Sequence, residues 1–190
     1  MDLDKSVLRK KFLNLREKYN VSQKEIEKIK EKFLNLIEKN NSQTILLYYP
    51  HKNEINTIPI IEELLKRKKT VLLPKVEKDR ILPILISDIS NLKIGFAGIK
   101  EPEGKVFPKN SIDITVVPAV AYDRRGYRLG YGKGFYDRFL QDFKNLKVGL
   151  AYKFQVLDKI PFEKHDIPVD IIITPEEVIE AGRERSFLNK

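Results

Sequence analysis

Residues Pro118 to Leu140 read PAVAYDRRGYRLGYGKGFYDRFL. The β-branched run Ile114-Thr115-Val116-Val117 just before them predicts a buried strand. Phe135-Tyr136-Asp137-Arg138-Phe139-Leu140 at their end predicts the start of a helix. Between the two stand Gly126, Gly130, Gly132 and Gly134, with Arg124, Arg125, Arg128 and Lys133. Glycine tolerates positive φ and lets backbone N–H groups come close to a ligand. A helix N-terminus adds free N–H groups and a partial positive charge. Strand, glycine-rich basic loop and helix together predict a phosphate cradle. The Walker pattern fails, because Gly134 follows Lys133 where Ser or Thr is required. The dinucleotide fingerprint fails too, because Gly134 comes one residue early after Gly130 and Gly132. These residue types point to an anion site without naming the anion. A flexible loop with solvated arginines is the competing reading.

Outward from this stretch, short apolar strands alternate with helices. Thr44–Tyr49, Thr70–Pro74, Lys147–Ala151 and Val169–Thr174 are apolar almost throughout, and Arg80–Ile86 is a less regular strand. Strands without polar alternation are buried on both faces, as in a mainly parallel sheet between helical layers. An α/β chain follows, folded as one domain over residues 1–190. Two helices precede the first strand. Leu8, Phe12, Leu15 and Tyr19 recur at helical spacing over residues 3–19. Ser22-Gln23-Lys24-Glu25 is a capping box for the second, with Ile26, Ile29, Phe33, Leu36 and Ile37 as its inner face. Thr57 is placed to cap a helix running to about Lys69, with Pro59 in its first turn. Asp88–Pro108 reads as an irregular loop over a pocket or a plain connection.

Composition narrows the chemistry. The chain has no cysteine and two histidines, which removes disulfides, thiolate metal sites and thiol nucleophiles. Any metal is then a hard cation on carboxylate and phosphate oxygens, which suggests Mg²⁺. No apolar run approaches the length of a membrane span, and no secretory leader is evident, so a cytoplasmic protein is expected. A net charge of +9 suits an anionic small substrate or nucleic acid. Both signs are interspersed, however, and no nucleic-acid-binding motif is present. Lys5 and Arg9 lie four apart and share one helix face. Glu54 follows a strand's carboxyl end, where ligands bind in open α/β sheets. His51 reads as a surface residue.

Gly130-x-Gly132-x-Gly134-Phe135-Tyr136-Asp137-Arg138, preceded by Asp123, Gly126 and Arg128-Leu129, resembles the signature of the 5-formyltetrahydrofolate cyclo-ligases, also called methenyltetrahydrofolate synthetases. The resemblance extends over nearly the whole chain. It implies an α/β/α sandwich related to the sugar-phosphate isomerase and CoA-transferase group. It implies ATP-dependent cyclisation of 5-formyltetrahydrofolate to 5,10-methenyltetrahydrofolate, with release of ADP and phosphate. Lys5-Ser6-Val7-Leu8-Arg9 matches the family's N-terminal segment that contacts ATP, with Arg9 also beside the folate. Arg128-Leu129-Gly130-Tyr131-Gly132-Lys133-Gly134-Phe135-Tyr136 matches its nucleotide-binding loop. Lys133 and Arg9 are the implied catalytic cations. Tyr49, Pro50, Glu54, Tyr131 and Phe135 match positions that line the substrate. Asp137 and Asp170 are the implied Mg²⁺ ligands. The chain departs from the family pattern at Asn53, where aspartate is common, and at Phe135, where tyrosine is common. A different enzyme on the related fold and a basic nucleic-acid-binding protein are the alternatives. No membrane or nucleic-acid partner is expected, and a monomer is slightly favoured.

Overall fold

The structure, a computed structural model, describes residues 4–188. Helices α1 (Lys5–Lys18) and α2 (Gln23–Lys39) open the chain. Strand β1 (Thr44–Leu46), helix α3 (Ile58–Lys66) and the hairpin of β2 (Thr70–Glu77) and β3 (Arg80–Ile86) follow. The stretch expected to be irregular holds a small hairpin, β4 (Lys93–Ile94) and β5 (Lys100–Glu101). Next come β6 (Ile114–Val117), β7 (Ala121–Asp123), β8 (Arg128–Leu129) and α4 (Phe135–Leu140). The chain ends with β9 (Leu146–Leu150), β10 (Val156–Leu157), β11 (Ile171–Ile173), β12 (Val178–Ile179) and α5 (Ala181–Leu188).

The main sheet has the order β12-β11-β9-β6-β1-β2-β3. Its five inner strands are parallel, and both edge strands, β12 and β3, run antiparallel to their neighbours. Both faces are apolar because both are covered. Ile45, Leu47, Val71, Leu73, Ile114 and Val116 face α2 and α3. Leu46, Leu72, Val117 and Ile172 face the other way, toward Phe139 and Leu140 of α4 and Ala181 of α5. This is the expected α/β/α layering. The chain runs outward from β1 to β2 on one side and from β6 to β9 and β11 on the other. The strand order therefore switches between β1 and β6, and in such sheets the crevice for ligands lies past the carboxyl ends of the strands at that point.

Several local expectations change. The Pro118–Leu140 stretch is not one loop: β7 and β8 pair within it and join β10 as a second, three-stranded sheet. Gly126 sits at the hairpin tip, against Val169, Ala181 and Arg185. Arg124 and Arg125 are carried there, away from Gly130–Gly134. Arg124 pairs with Glu177 and Glu184, and Arg125 with the fully buried Asp123. Thr57 makes no capping hydrogen bond; its buried hydroxyl instead donates to the Tyr48 carbonyl at 2.6 Å. That bond ties the end of the β1 segment to the start of α3. On α1, Leu8 and Phe12 are buried as expected, against Val120, Ala121, Leu129 and Ile160. Leu15 is exposed, and Arg16 takes the buried position beside it.

Candidate active site

The loops after β1 and β6 meet over the switch point. After β1 come Tyr49, Pro50 and the turn holding Glu54, and after the β7–β8 hairpin comes the Gly130–Gly134 loop that leads into α4. Tyr131 spans the crevice: its hydroxyl donates to Glu54 Oε2 at 3.0 Å. The other Glu54 oxygen accepts from the His51 amide at 2.8 Å. Burial pushes the Glu54 carboxyl above its ordinary range, while the His51 amide, the Tyr131 hydroxyl and the Arg16 charge act the other way.

Helix α1 forms the third wall. Successive residues on a helix are rotated by about 100°, so Arg9 and Arg16 fall about 40° and 20° from Lys5. All three cations therefore leave α1 on the face that meets the loop. Arg9 Nε donates to the Gly130 carbonyl at 2.6 Å. Its guanidinium then lies along Gly132, where a β-carbon would stand 3.7–3.9 Å from it. Gly132 has φ +95°, a conformation that side-chain-bearing residues rarely adopt. Arg9 forms no ion pair among the described residues, and neither does the exposed Lys133. Within about 4 Å, unit charges at a protein surface interact by about 4 kcal/mol. Two unpaired cations beside a glycine loop thus make a strongly anion-seeking surface. Arg128 differs. Its side chain is buried and bonds Asp137 Oδ1 at 2.8 Å, so it lies under the loop rather than open to a ligand. Its Nε has no hydrogen-bond partner among the described residues.

The remaining predicted residues fall on both sides of the crevice. Lys100 of the β4–β5 hairpin lies 5.7 Å from the Tyr49 ring, and Phe96 packs edge-on to Phe135 with ring centroids 5.3 Å apart. That hairpin thus touches both loops of the site. Tyr136 is turned inward, and burial pushes its hydroxyl well above the ordinary tyrosine value. Ser6 and Val7 are exposed on α1, and Leu8 is buried behind them. Leu129 is buried in β8. Two wider surface clefts, between α2 and α5 and between β3 and α4, hold none of Arg9, Glu54 or Gly130–Gly134.

The two aspartates expected to act together are far apart in role. Asp137, in the first turn of α4, accepts from Arg128 and from the Ile167 amide at 3.1 Å through Oδ1, leaving Oδ2 without a partner among the described residues. Asp170 lies just before β11, at the amino end of a parallel strand. It accepts from the Lys147 amide at 2.8 Å and faces the Lys147 ammonium at 3.4 Å and Arg185 at 3.6 Å. The structure does not bring it to the cradle. The acidic group it does bring there is Asp166, which sequence reasoning passed over. Asp166 neighbours the amide that holds Asp137, and Oδ2 accepts from Lys5 of α1 and from the Glu163 amide. Burial pushes this carboxyl up, but those bonds with Lys5 and Glu163 hold it below the ordinary range. Among the described residues no group of three or more metal-ligating side chains converges. Arg16 was also missed, because the apolar spacing of α1 assigned its stripe to Leu15.

Residues 2–175 match the model of the 5-formyltetrahydrofolate cyclo-ligase family. A 5-formyltetrahydrofolate cyclo-ligase of Escherichia coli K12 is 34% identical over 148 residues, which are 73% of this chain and 81% of that one. The NMR structure of a 5,10-methenyltetrahydrofolate synthetase of Aquifex aeolicus superposes with a TM-score of 0.83 at 40% identity, covering 94% of this chain and 93% of that one. A 5,10-methenyltetrahydrofolate synthetase of Mycoplasma pneumoniae superposes with a TM-score of 0.75 at 32% identity, covering 91% and 99%.

Proposed function

The chain belongs to the 5-formyltetrahydrofolate cyclo-ligase family, and from that membership we propose how its own residues carry the reaction. It is a ligase that cyclises 5-formyltetrahydrofolate to 5,10-methenyltetrahydrofolate at the expense of ATP. The chemical obstacle is the N-formyl group, an amide with a poor electrophilic carbon and a poor leaving oxygen. Transfer of the γ-phosphoryl group to the formyl oxygen removes both faults and releases ADP. N10 then attacks the activated carbon, its proton is lost, and phosphate departs with the formyl oxygen.

Phosphoryl transfer asks the protein for positioning and charge rather than covalent help. Arg9 and Lys133 supply the unpaired positive charge, and the Gly130–Gly134 loop supplies backbone close to the phosphates. Lys5, drawn toward Asp166, and the buried Arg128, held by Asp137, set the two carboxylates. Ser6, Val7 and Leu8 join the nucleotide side as the α1 backbone between Lys5 and Arg9. Tyr49, Pro50, Glu54, Tyr131 and Phe135 form the folate side. Phe135 offers a stacking face without a hydroxyl. The observation that carries this reading is Arg9: its guanidinium bonds the Gly130 carbonyl, lies along Gly132, and forms no ion pair among the described residues.

The donor set fits Mg²⁺. Among the described residues one Asp137 carboxylate oxygen has no partner, and Asp166 stands on the adjoining segment, so these two carboxylates would hold the ion. The ion would supply positive charge to offset that of the triphosphate. The test is absorbance of methenyltetrahydrofolate after mixing protein, 5-formyltetrahydrofolate and Mg²⁺ with and without ATP. A rise only with ATP supports the reading. No rise from folded, ATP-binding protein refutes it.

A further inference from the structure

Arg16 has no part in the reaction as described, yet its setting is unusual. Its residue is 6% exposed, it forms no ion pair among the described residues, and its single hydrogen bond runs from Nη1 to the Tyr131 hydroxyl at 2.7 Å. Its guanidinium carbon lies 5.6 Å from the centre of that ring. A buried cation is costly unless its charge is met. Here α1 leaves Leu15 in solvent and buries the arginine. Apolar burial has been given up for a charge at one position.

Hydrogen-bond directions show what the charge does. Arginine only donates. The Tyr131 oxygen accepts from Arg16, so its one proton points to Glu54 Oε2, 3.0 Å away. Tyr131 stands between Gly130 and Gly132 in an exposed loop, and among the described residues its hydroxyl bonds only Arg16 and Glu54. The Arg16–Tyr131–Glu54 chain therefore joins α1 to the loop after β1 through the loop before α4. Tyr48, Tyr122 and Tyr136 also feel the Glu54 charge, and none of them is cationic. The Arg16 charge is close enough to act on this carboxylate and favours its ionised form.

We propose that Arg16 is a positioning residue for folate recognition: through the Tyr131 hydroxyl it holds Glu54 as an ionised, aimed acceptor for the N–H groups of the pterin ring. The role rests on the proposed placing of Glu54 on the folate side of the site. Tyr131 is a clamp on the acceptor, and the substrate binds to the oxygen lone pairs that the clamp leaves open.

Five variants of the full chain test it: R16M, R16K, Y131F, E54Q and the R16M/Y131F double variant, with separate KM and kcat for 5-formyltetrahydrofolate and ATP. R16M is expected to raise the folate KM by about tenfold, the scale of losing one hydrogen bond to a charged group. The ATP KM and kcat stay within about twofold. R16K recovers most of the loss by restoring the charge. Y131F raises the folate KM alike, and the R16M/Y131F double variant is no worse than either single one, as for residues acting as one unit. In R16M the acid limb of kcat/KM for folate moves to higher pH, because Glu54 has lost its cation. A folate KM within twofold of wild type in R16M overturns the proposal. A fall in that KM overturns it also, since it means that Tyr131 competes with the substrate. Equal rises in both KM values without rescue by R16K assign Arg16 to structure alone. If R16M does not fold, Y131F and R16K decide by the same criteria. E54Q separates the layers. No folate effect in E54Q removes the Glu54 reading itself, whereas an effect in E54Q with none in R16M removes only Arg16.

Discussion

Two glycines of the Pro118–Leu140 stretch have similar backbone conformations and opposite duties, so the same substitution should fail in two different ways. Gly126 has φ +93° and Gly132 has φ +95°. At Gly126 an added β-carbon runs into the Val169 carbonyl oxygen, and it lies 2.7 Å from Arg185 Nη1 and 3.1 Å from the Ala181 β-carbon. The Val169 obstacle is backbone and fully buried, and its own amide donates to the Gly126 carbonyl at 2.9 Å. The arrangement cannot move aside without losing that bond, which is worth about 1 kcal/mol. Positive φ for alanine costs about 1–2 kcal/mol, and overpacking a buried site costs about 1–3 kcal/mol more. Gly126→Ala is thus expected to destabilise by about 3–6 kcal/mol, which lowers Tm by roughly 6–24 °C for a chain of this size. At Gly132 the nearest atoms belong to Arg9, at 3.7 Å or more, and the residue is exposed. The loop can relax there, but the methyl then stands in front of the guanidinium. Gly132→Ala is expected to raise the ATP KM by about tenfold or more, matching about 1–3 kcal/mol of local strain, with Tm within about 2 °C. Thermal melts monitored by circular dichroism and steady-state kinetics check both. Equal losses of Tm in the two variants, or a fall below 2 °C in Gly126→Ala, would refute the assignment of one glycine to scaffold and the other to ligand.

Lys133→Ala removes a cation that has no partner among the described residues. It should raise the ATP KM by about tenfold while leaving Tm unchanged, and an unchanged ATP KM takes Lys133 out of the site. Asp137→Asn and Asp166→Asn should each raise the Mg²⁺ concentration for half-maximal rate by about tenfold. Asp170→Asn should leave that titration alone and lower Tm, because Lys147 and Arg185 lose their carboxylate. A shifted Mg²⁺ titration in Asp170→Asn would contradict the placement. Glu54→Gln should change stability with a definite pH sign. Burial raises the folded carboxyl pKa, so the folded state binds the proton more tightly than the unfolded chain. Wild-type stability then falls as pH rises from the ordinary carboxylate value, about 4.3, through the raised one. The variant should therefore gain on wild type in denaturant melts between about pH 4 and neutrality, and a constant difference rejects the raised value.

Much of the site is legible in the residues because its chemistry is local. Glycines, Lys133 and Asp137 are consecutive with a strand before and a helix after, and Lys5 and Arg9 share a face by spacing alone. What escapes depends on direction in space. Asp170 and Asp166 both precede the same strand, and the family resemblance singles out Asp170 alone. Yet Asp170 stands immediately at the amino end of β11, and ligands of such sheets gather past carboxyl ends. Asp166, four residues earlier in a loop without periodicity, is free to reach α1. Arg16 escapes for a different reason. Apolar periodicity equates the buried stripe with the apolar residues, so it places Leu15 inside. A buried cation is legible only once its partner, Tyr131, is known to be near. The β7–β8 hairpin is hidden by its own brevity, since Arg128-Leu129 is too short to show alternation.

The hairpin also resolves what a net charge of +9 leaves open. Of the cations in and around the signature, Arg124 is met by Glu177 and Glu184, Arg125 by Asp123, and Arg128 by Asp137. Arg138 donates to the Asp79 carbonyl at 2.8 Å and Lys5 to Asp166. Among the described residues Arg9, Arg16, Lys133 and Arg138 have no carboxylate partner; Arg138 is held by backbone carbonyls, and of the other three, two come from a helix more than 100 residues away in sequence. Charge that is matched inside the fold fixes structure, and charge left unmatched is available to a ligand. These three border the Gly130–Tyr131–Gly132 turn from both sides. In the proposed function Arg9 and Lys133 belong to the nucleotide side, and Arg16, buried behind Tyr131, belongs to the folate side. The β7–β8 hairpin makes this separation possible, because it carries two arginines of the same short stretch to the opposite end of the small sheet, where their charge cannot compete for the triphosphate.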